Sequence, residues 1–242
     1  MKLDCIVTAV NENQLYIEFI PIFVKTWKKL YPDVDVKIIL IAHAIPKEYE
    51  EYKDHIILFE PIEFVLTSYT AQVIRLFYPC LLSYENGVMI TDMDMLPMNY
   101  TYYTNGLAKF TKNDFIYYRE IDGNQIYMCY NAAHPNTWSN VFHINNEQDI
   151  ENKININYNI HYNGTPGSTG WFIDQEIMYK ELIHYENLKV LNRPIKRLEV
   201  YMYYEHLNKN DKDFISNYDD CHFHRNYNSN EQLILDAEKQ LK

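Results

Sequence analysis

The chain is poor in glycine. Only six occur in 242 residues, and three of them fall within His161–Gly170. None lies in Thr8–Gln14, directly after the first apolar run, and neither does a lysine or arginine. A basic, glycine-rich loop of the kind that grips a triphosphate is therefore missing there, which counts against a nucleotidyltransferase. Cysteine is also sparse. Cys5, Cys80, Cys129 and Cys221 lie far apart and form no CxxC. They read as free thiols in a reducing compartment rather than as a disulfide framework.

Positive charge is in deficit. Lys+Arg 22 against Asp+Glu 33 gives a net charge of −11. Such a surface repels phosphate backbones and anionic lipid, so no nucleic-acid partner is expected. A phosphorylated small molecule would need a local counter-charge, for which a divalent cation is one solution. No run approaches the ~18 apolar residues of a membrane span. The apolar stretch at the start is interrupted by Asp4 and is too short for a signal peptide. The expected location is the cytoplasm. No internal repeat or linker divides the chain, so one domain, 1–242, is expected.

Tyrosine is abundant, at 23 residues. Its wide apolar face and polar tip suit binding clefts as well as cores. The first hundred residues alternate strand and helix patterns. Leu3–Val10, Val34–Ala42, His55–Phe59 and Val88–Thr91 read as strands, the second of them nearly all apolar, as buried parallel strands are. Leu15, Phe19, Phe23, Trp27 and Leu30 recur at helical spacing over Gln14–Leu30, with Pro21 expected to kink that helix or restart it. Pro46–Lys53 and Thr67–Tyr84 are further expected helices. The pattern predicts a parallel sheet with right-handed crossovers. Later, Phe115–Tyr118, Ile126–Tyr130, Leu188–Leu191 and Ile195–Val200 read as strands. Pro135–Ile144, Glu147–Tyr158, Phe172–Tyr185 and Asn230–Leu241 read as helices.

Ligands of open parallel sheets bind beyond the carboxyl ends of the strands. Thr8-Ala9-Val10 and Asp92-Met93-Asp94 both sit at such ends. Two carboxylates two residues apart can meet one hard cation, and Mg²⁺ and Mn²⁺ prefer oxygen ligands. A turn with two solvated acids is the ordinary alternative. Arg75, on the preceding helix, is placed to orient the first carboxylate and keep it ionised; a surface ion pair is its ordinary role. Asp174-Gln175 follow a glycine-rich loop, Gly164–Gly170, that suits a substrate-covering element, and Trp171 offers a flat face for a sugar ring. The competing role for Asp174 is a helix-start carboxylate, with Trp171 in the core. In Asp219–Arg225, His222 and His224 fall on one side of an extended segment. One could ligate a cation, and Arg225 could meet a diphosphate. Zinc lacks further ligands at suitable spacing here.

Taken in order, these segments resemble the nucleotide-sugar glycosyltransferases of the GT-A fold, and most of all the retaining glycogenin-like and galactosyltransferase-like families. Compact glycosyltransferases of large DNA viruses are also similar. The resemblance rests on Thr8-Ala9-Val10, on Val73-Ile74-Arg75-Leu76-Phe77-Tyr78-Pro79, on Val88–Asp94, on Trp171-Phe172-Ile173-Asp174-Gln175 and on His222-Phe223. Val73 stands where the family's helix motif has an aromatic. After the His-Phe pair the family has Gly and then Lys; here His224-Arg225-Asn226 follows.

The resemblance implies an α/β fold of GT-A type, with a nucleotide-binding half over 1–100 and an acceptor-binding half over 101–242. It implies transfer of a hexosyl or deoxyhexosyl group from a UDP-sugar donor to a glycan or protein acceptor. Thr8, Ala9, Val10, Arg75, Asp92, Met93 and Arg225 would serve the donor, and Gly170 and Trp171 the acceptor. Asp92, Asp94 and His222 would hold Mn²⁺ or Mg²⁺, and Asp174 and Gln175 would face the reacting carbon. A non-catalytic sugar- or protein-binding module of the same fold is the alternative, and metal-dependent hydrolysis of the donor would tell the two apart. A two-carboxylate glycosidase fits less well, because its acids need no metal.

Overall fold

The computed structural model describes residues 1–165, 167–208, 217–222 and 227–240. Its central strand, β1 (Leu3–Asn11), is apolar on both faces and so must be covered on both. Leu3, Ile6 and Val10 point into one core, and Cys5 and Val7 into the other. Asn13 caps the short helix α1 (Gln14–Ile17) by accepting from the Leu15 N–H. Helix α2 (Ile20–Leu30) then starts afresh with Pro21 in its first turn, where a missing N–H costs nothing. The expected single helix over Gln14–Leu30 is thus two.

β2 (Asp35–Ile41) and β3 (Ile56–Phe59) extend the sheet in parallel. A 3₁₀ turn at Lys47–His55 joins them, in place of the expected helix Pro46–Lys53. α3 (Thr67–Phe77) crosses back over β1 and β2, and β4 (Gly87–Ile90) pairs in parallel with the other side of β1. α3 ends seven residues short of Tyr84. Pro79 has no N–H to continue the ladder, and the chain tightens into a 3₁₀ turn over Tyr78–Leu81.

β5 (Met95–Pro97) leaves the sheet, followed by α4 (Tyr100–Thr104). β6 (Phe115–Tyr117), β7 (Asn131–Ala133) and β8 (Leu188–Val190) complete the seven-stranded order β3-β2-β1-β4-β7-β6-β8. β7 runs antiparallel to β4 and β6, so the sheet is mixed, mostly parallel. The expected strand Ile126–Tyr130 is not one. Asn131 Nδ2 donates to the carbonyls of Tyr127 and Met128, at 2.7 and 3.0 Å, and folds that segment into a turn. Its buried side chains, Ile126, Met128 and Cys129, fill the core without a ladder.

α5 (Pro135–Phe142), α6 (Glu147–Asn157) and α7 (Ile173–Leu182) cover the α3 face. β9 (Arg197–Glu199) precedes α8 (Val200–Asn208), and β10 (Asp220–His222) precedes α9 (Tyr227–Gln240). A second sheet of three strands, ordered β5-β10-β9, results. It lies directly after Asp94 in sequence, because β5 begins at Met95. α9 is pinned to α2 by Lys25 and Glu238, 2.9 Å apart, and by the edge of Tyr227 against Phe19. No described helix is long and apolar enough to cross a membrane.

Candidate active site

A cleft of about 400 Å³ opens beyond the carboxyl ends of β1 and β4. Ala9, Val10 and Asn11 line it from β1. Thr8 does not; it is fully buried, and its hydroxyl has no hydrogen-bond partner among the described residues. Only the last residues of the strand emerge at the cleft wall. Asn11, which the sequence reading passed over, donates from Nδ2 to Thr67 Oγ1 at 3.1 Å and ties the strand end to the start of α3.

After β4 the chain turns at Asp92–Met95, closed by the Met95 N–H to the Asp92 carbonyl. Met93 is buried in the α2-side core while still touching the cleft. Asp92 and Asp94 take different partners. Arg75, in the last turn of α3, donates from Nη1 to Asp92 and from Nη2 to Asp174 Oδ2 at 2.6 Å. Its Nε donates to the Gln72 carbonyl at 3.1 Å. The guanidinium is thus a buried bridge rather than a surface pair, and the two carboxylates hold its proton more firmly than usual despite burial. It braces Asp92 and not Asp94.

Asp174 sits in the first turn of α7 and is 2% exposed. Its Oδ1 accepts from the Gln72 side chain at 3.2 Å and from the Gln175 N–H at 2.9 Å. Burial pushes its carboxyl up from the usual range, against the pull of Arg75. Both oxygens are occupied, so Asp174 is an anchor of the cleft floor. Gln175 beside it differs: its buried Oε1 has no hydrogen-bond partner among the described residues, and the residue lines the cleft. A buried amide oxygen without a partner at a cleft wall becomes an acceptor for a ligand once the side chain turns towards it.

Asp94 faces the second sheet. In register, His222 of β10 lies opposite Met95 on one side and Glu199 of β9 on the other. His222 Nε2 is 3.4 Å from Asp94 Oδ2, and Nδ1 is 3.3 Å from Glu199 Oε2. Burial works against a charge on His222, yet the two carboxylates outweigh it and raise its pKa. The described residues gather no group of three or more His, Cys, Asp and Glu side chains suited to an ion. Two suffice for Mg²⁺ or Mn²⁺, which keep waters and substrate phosphates in the remaining positions. Neighbouring ligands of an octahedral ion, each about 2.1 Å from it, stand roughly 3.0 Å apart. Asp94 and His222, 3.4 Å apart, would close by a few tenths of an ångström to share such a cation.

Two further arginines line the cleft, neither singled out in sequence. Arg197 of β9 is locked to the buried Asp220 by Nη2 at 2.7 Å and Nε at 3.0 Å, and Tyr130 donates to the same carboxylate at 2.8 Å. Arg119 lies 3.9 Å from the centre of the Tyr127 ring. Trp171 and Gly164 line the cleft as expected of the glycine-rich loop. Gly170 does not. It has φ +81°, and a Cβ there would stand 3.0 Å from Tyr162 Cδ2, so backbone and packing both favour glycine. Phe223, His224 and Arg225 lie outside the described residues.

No protein-family model matches the chain, and no curated protein does. Solved structures do. The galactosyltransferase LgtC, in complex with donor and acceptor sugar analogs, superposes with a TM-score of 0.52 over 98% of this chain and 96% of its own, at 11% identity. The glycosyltransferase GlyE of Streptococcus pneumoniae TIGR4 gives a TM-score of 0.47 at 16% identity over 88% of this chain; the match spans 48% of GlyE. A glycosyltransferase involved in the glycosylation of the major capsid of PBCV-1 gives 0.47 at 10% identity, over 96% of this chain and 99% of that one. The likeness to LgtC along nearly the full length of both chains establishes the architecture: this chain has the GT-A fold, as the resemblance in its sequence implies.

Proposed function

We propose that this chain is a metal-dependent glycosyltransferase. It moves a hexosyl or deoxyhexosyl group from a UDP-sugar donor to a glycan or protein acceptor, with retention at the anomeric carbon. One observation carries the reading: Asp92, fixed by Arg75, and Asp94, facing His222, line one cleft beyond the ends of β1 and β4. A cleft at that place in an open α/β sheet is where ligands bind.

Each residue then has a task. Ala9 and Val10 border the nucleoside. Arg75 keeps Asp92 aimed into the cleft. Asp94 and His222, with Asp92, would hold Mn²⁺ or Mg²⁺, which as a Lewis acid neutralises charge developing on the leaving diphosphate. Gln175 would turn its amide oxygen towards the reacting carbon, where positive charge grows as the glycosidic bond breaks. Asp174 holds the first turn of α7 and so sets the position of Gln175. Trp171 gives a flat wall for a sugar, and Tyr162 and Gly164 help close the cleft against water, which would otherwise hydrolyse the donor. Arg225 is retained as a cation for the diphosphate. The four cysteines stand free, which supports a reducing compartment such as the cytoplasm.

The test is incubation with UDP-sugars and Mn²⁺, following UDP release and the anomeric configuration of the product by proton NMR. Release that needs Mn²⁺, together with a product of unchanged anomeric configuration, supports the reading. UDP-sugar binding without any turnover points to a binding module, and an inverted product refutes retention.

A further inference from the structure

Two carboxylates flank His222, one at each ring nitrogen, and they are not equivalent. Asp94, on the Nε2 side, lines the cleft, as His222 itself does. Glu199, on the Nδ1 side, is not part of the cleft wall. Its place is dictated by register. β9 and β10 run parallel with Glu199 opposite His222, so both side chains stand on one face of the small sheet. Asp94 arrives from the other neighbour of β10, one residue before β5.

A neutral imidazole carries one ring proton. When Nε2 gives its lone pair to a cation, that proton must sit on Nδ1, the side on which the Glu199 carboxylate stands at an ion-pair distance of 3.3 Å. The opposite arrangement, with the proton on Nε2 and the cation at Nδ1, would put the ion behind the cleft. Histidine ligands commonly donate their other N–H to a carboxylate, which fixes the tautomer and strengthens the nitrogen as a donor.

We propose that Glu199 is a positioning residue for His222, holding it with the proton on Nδ1 and Nε2 turned to the cation shared with Asp94. This rests on the metal-dependent reading above. It assigns Glu199 no contact with the ion or the donor.

The test uses the full chain and Mn²⁺ or Mg²⁺ alone. Mn²⁺ affinity is measured by electron paramagnetic resonance for wild type, Glu199→Gln, Glu199→Ala and His222→Ala. Nitrogen-15 NMR with diamagnetic Mg²⁺ reads the tautomer of His222. The expected result is an Nδ1–H imidazole in wild type, mixed or reversed in Glu199→Gln, with Mn²⁺ affinity about 10- to 100-fold weaker in both Glu199 variants. Glu199→Gln keeps the size of the side chain, so a loss shared by both variants at an unchanged metal-free melting temperature excludes simple misfolding. An Nε2–H tautomer in metal-bound wild type overturns the proposal. So does unchanged Mn²⁺ affinity in both Glu199 variants while His222→Ala loses the ion, which leaves the metal reading intact. If wild type binds no Mn²⁺, or His222→Ala binds it as well as wild type does, the metal reading fails and the proposal falls with it.

Discussion

Arg75 Nη2 lies 2.6 Å from Asp174 Oδ2, joining the end of α3 to the start of α7 across the floor of the cleft. The same guanidinium holds Asp92, so one cation fixes two acids that come from segments far apart in sequence. Removing Asp174 leaves the guanidinium with Asp92 alone and strips the Gln72 side chain and the Gln175 N–H of their buried acceptor, at about 1–3 kcal/mol for each donor left unpaired. Asp174→Ala should therefore lower the urea midpoint strongly, besides reducing transfer. A variant as stable as wild type would make Asp174 an ordinary helix-start residue.

Gln175 separates catalysis from stability. Its side-chain oxygen carries no internal hydrogen bond among the described residues. Gln175→Ala should cut turnover by about 10²-fold and leave UDP affinity and the unfolding midpoint near their wild-type values. Equal losses in turnover and UDP affinity would instead make it a binding residue.

Gly170 is constrained twice, by φ +81° and by Tyr162. Gly170→Ala should destabilise by about 1–2 kcal/mol, read as a lower urea midpoint at an unchanged slope. An unaffected midpoint would mean that the loop adapts freely.

His222 gives a pH dependence of defined sign. Its pKa is raised in the folded protein; burial opposes this, and Asp94 and Glu199 outweigh it. A raised histidine contributes stability fully below its unfolded value, about 6.5, and loses that contribution as pH rises through the folded value. The metal-free melting temperature should thus fall above about pH 6.5, and His222→Ala should remove that slope. Mn²⁺ needs the unprotonated nitrogen, so its affinity should rise over the same window. A slope that persists in His222→Ala assigns the titration elsewhere.

Much of this was legible in the residues themselves. β1, β2 and β4 are buried on both faces and read as apolar runs, and the acids after β4 follow from where that run stops. Arg75 was placed by its helix. What stayed hidden depends on register and on distant pairing. β7 is Asn-Ala-Ala, with no β-branched or aromatic residue, while the more strand-like Ile126–Tyr130 is taken by a turn that the Asn131 side chain stabilises. Arg197–Asp220 and Glu199–His222 each join residues more than twenty positions apart through strands of three residues. Such strands carry almost no periodic signal. That Thr8 is buried while Ala9, Val10 and Asn11 reach the cleft wall was not legible, because a strand end marks a cleft but does not say which of its last residues emerge there.

The central claim is that Asp94 and His222, with Asp92, form a cation site that lets an acidic protein hold an anionic donor. Calorimetric titration of UDP with Mn²⁺ present, and again in excess EDTA, tests it most directly. The account predicts measurable binding with Mn²⁺ that disappears in EDTA, and weak or absent binding for Asp94→Ala under both conditions. Undiminished UDP binding in EDTA would contradict it.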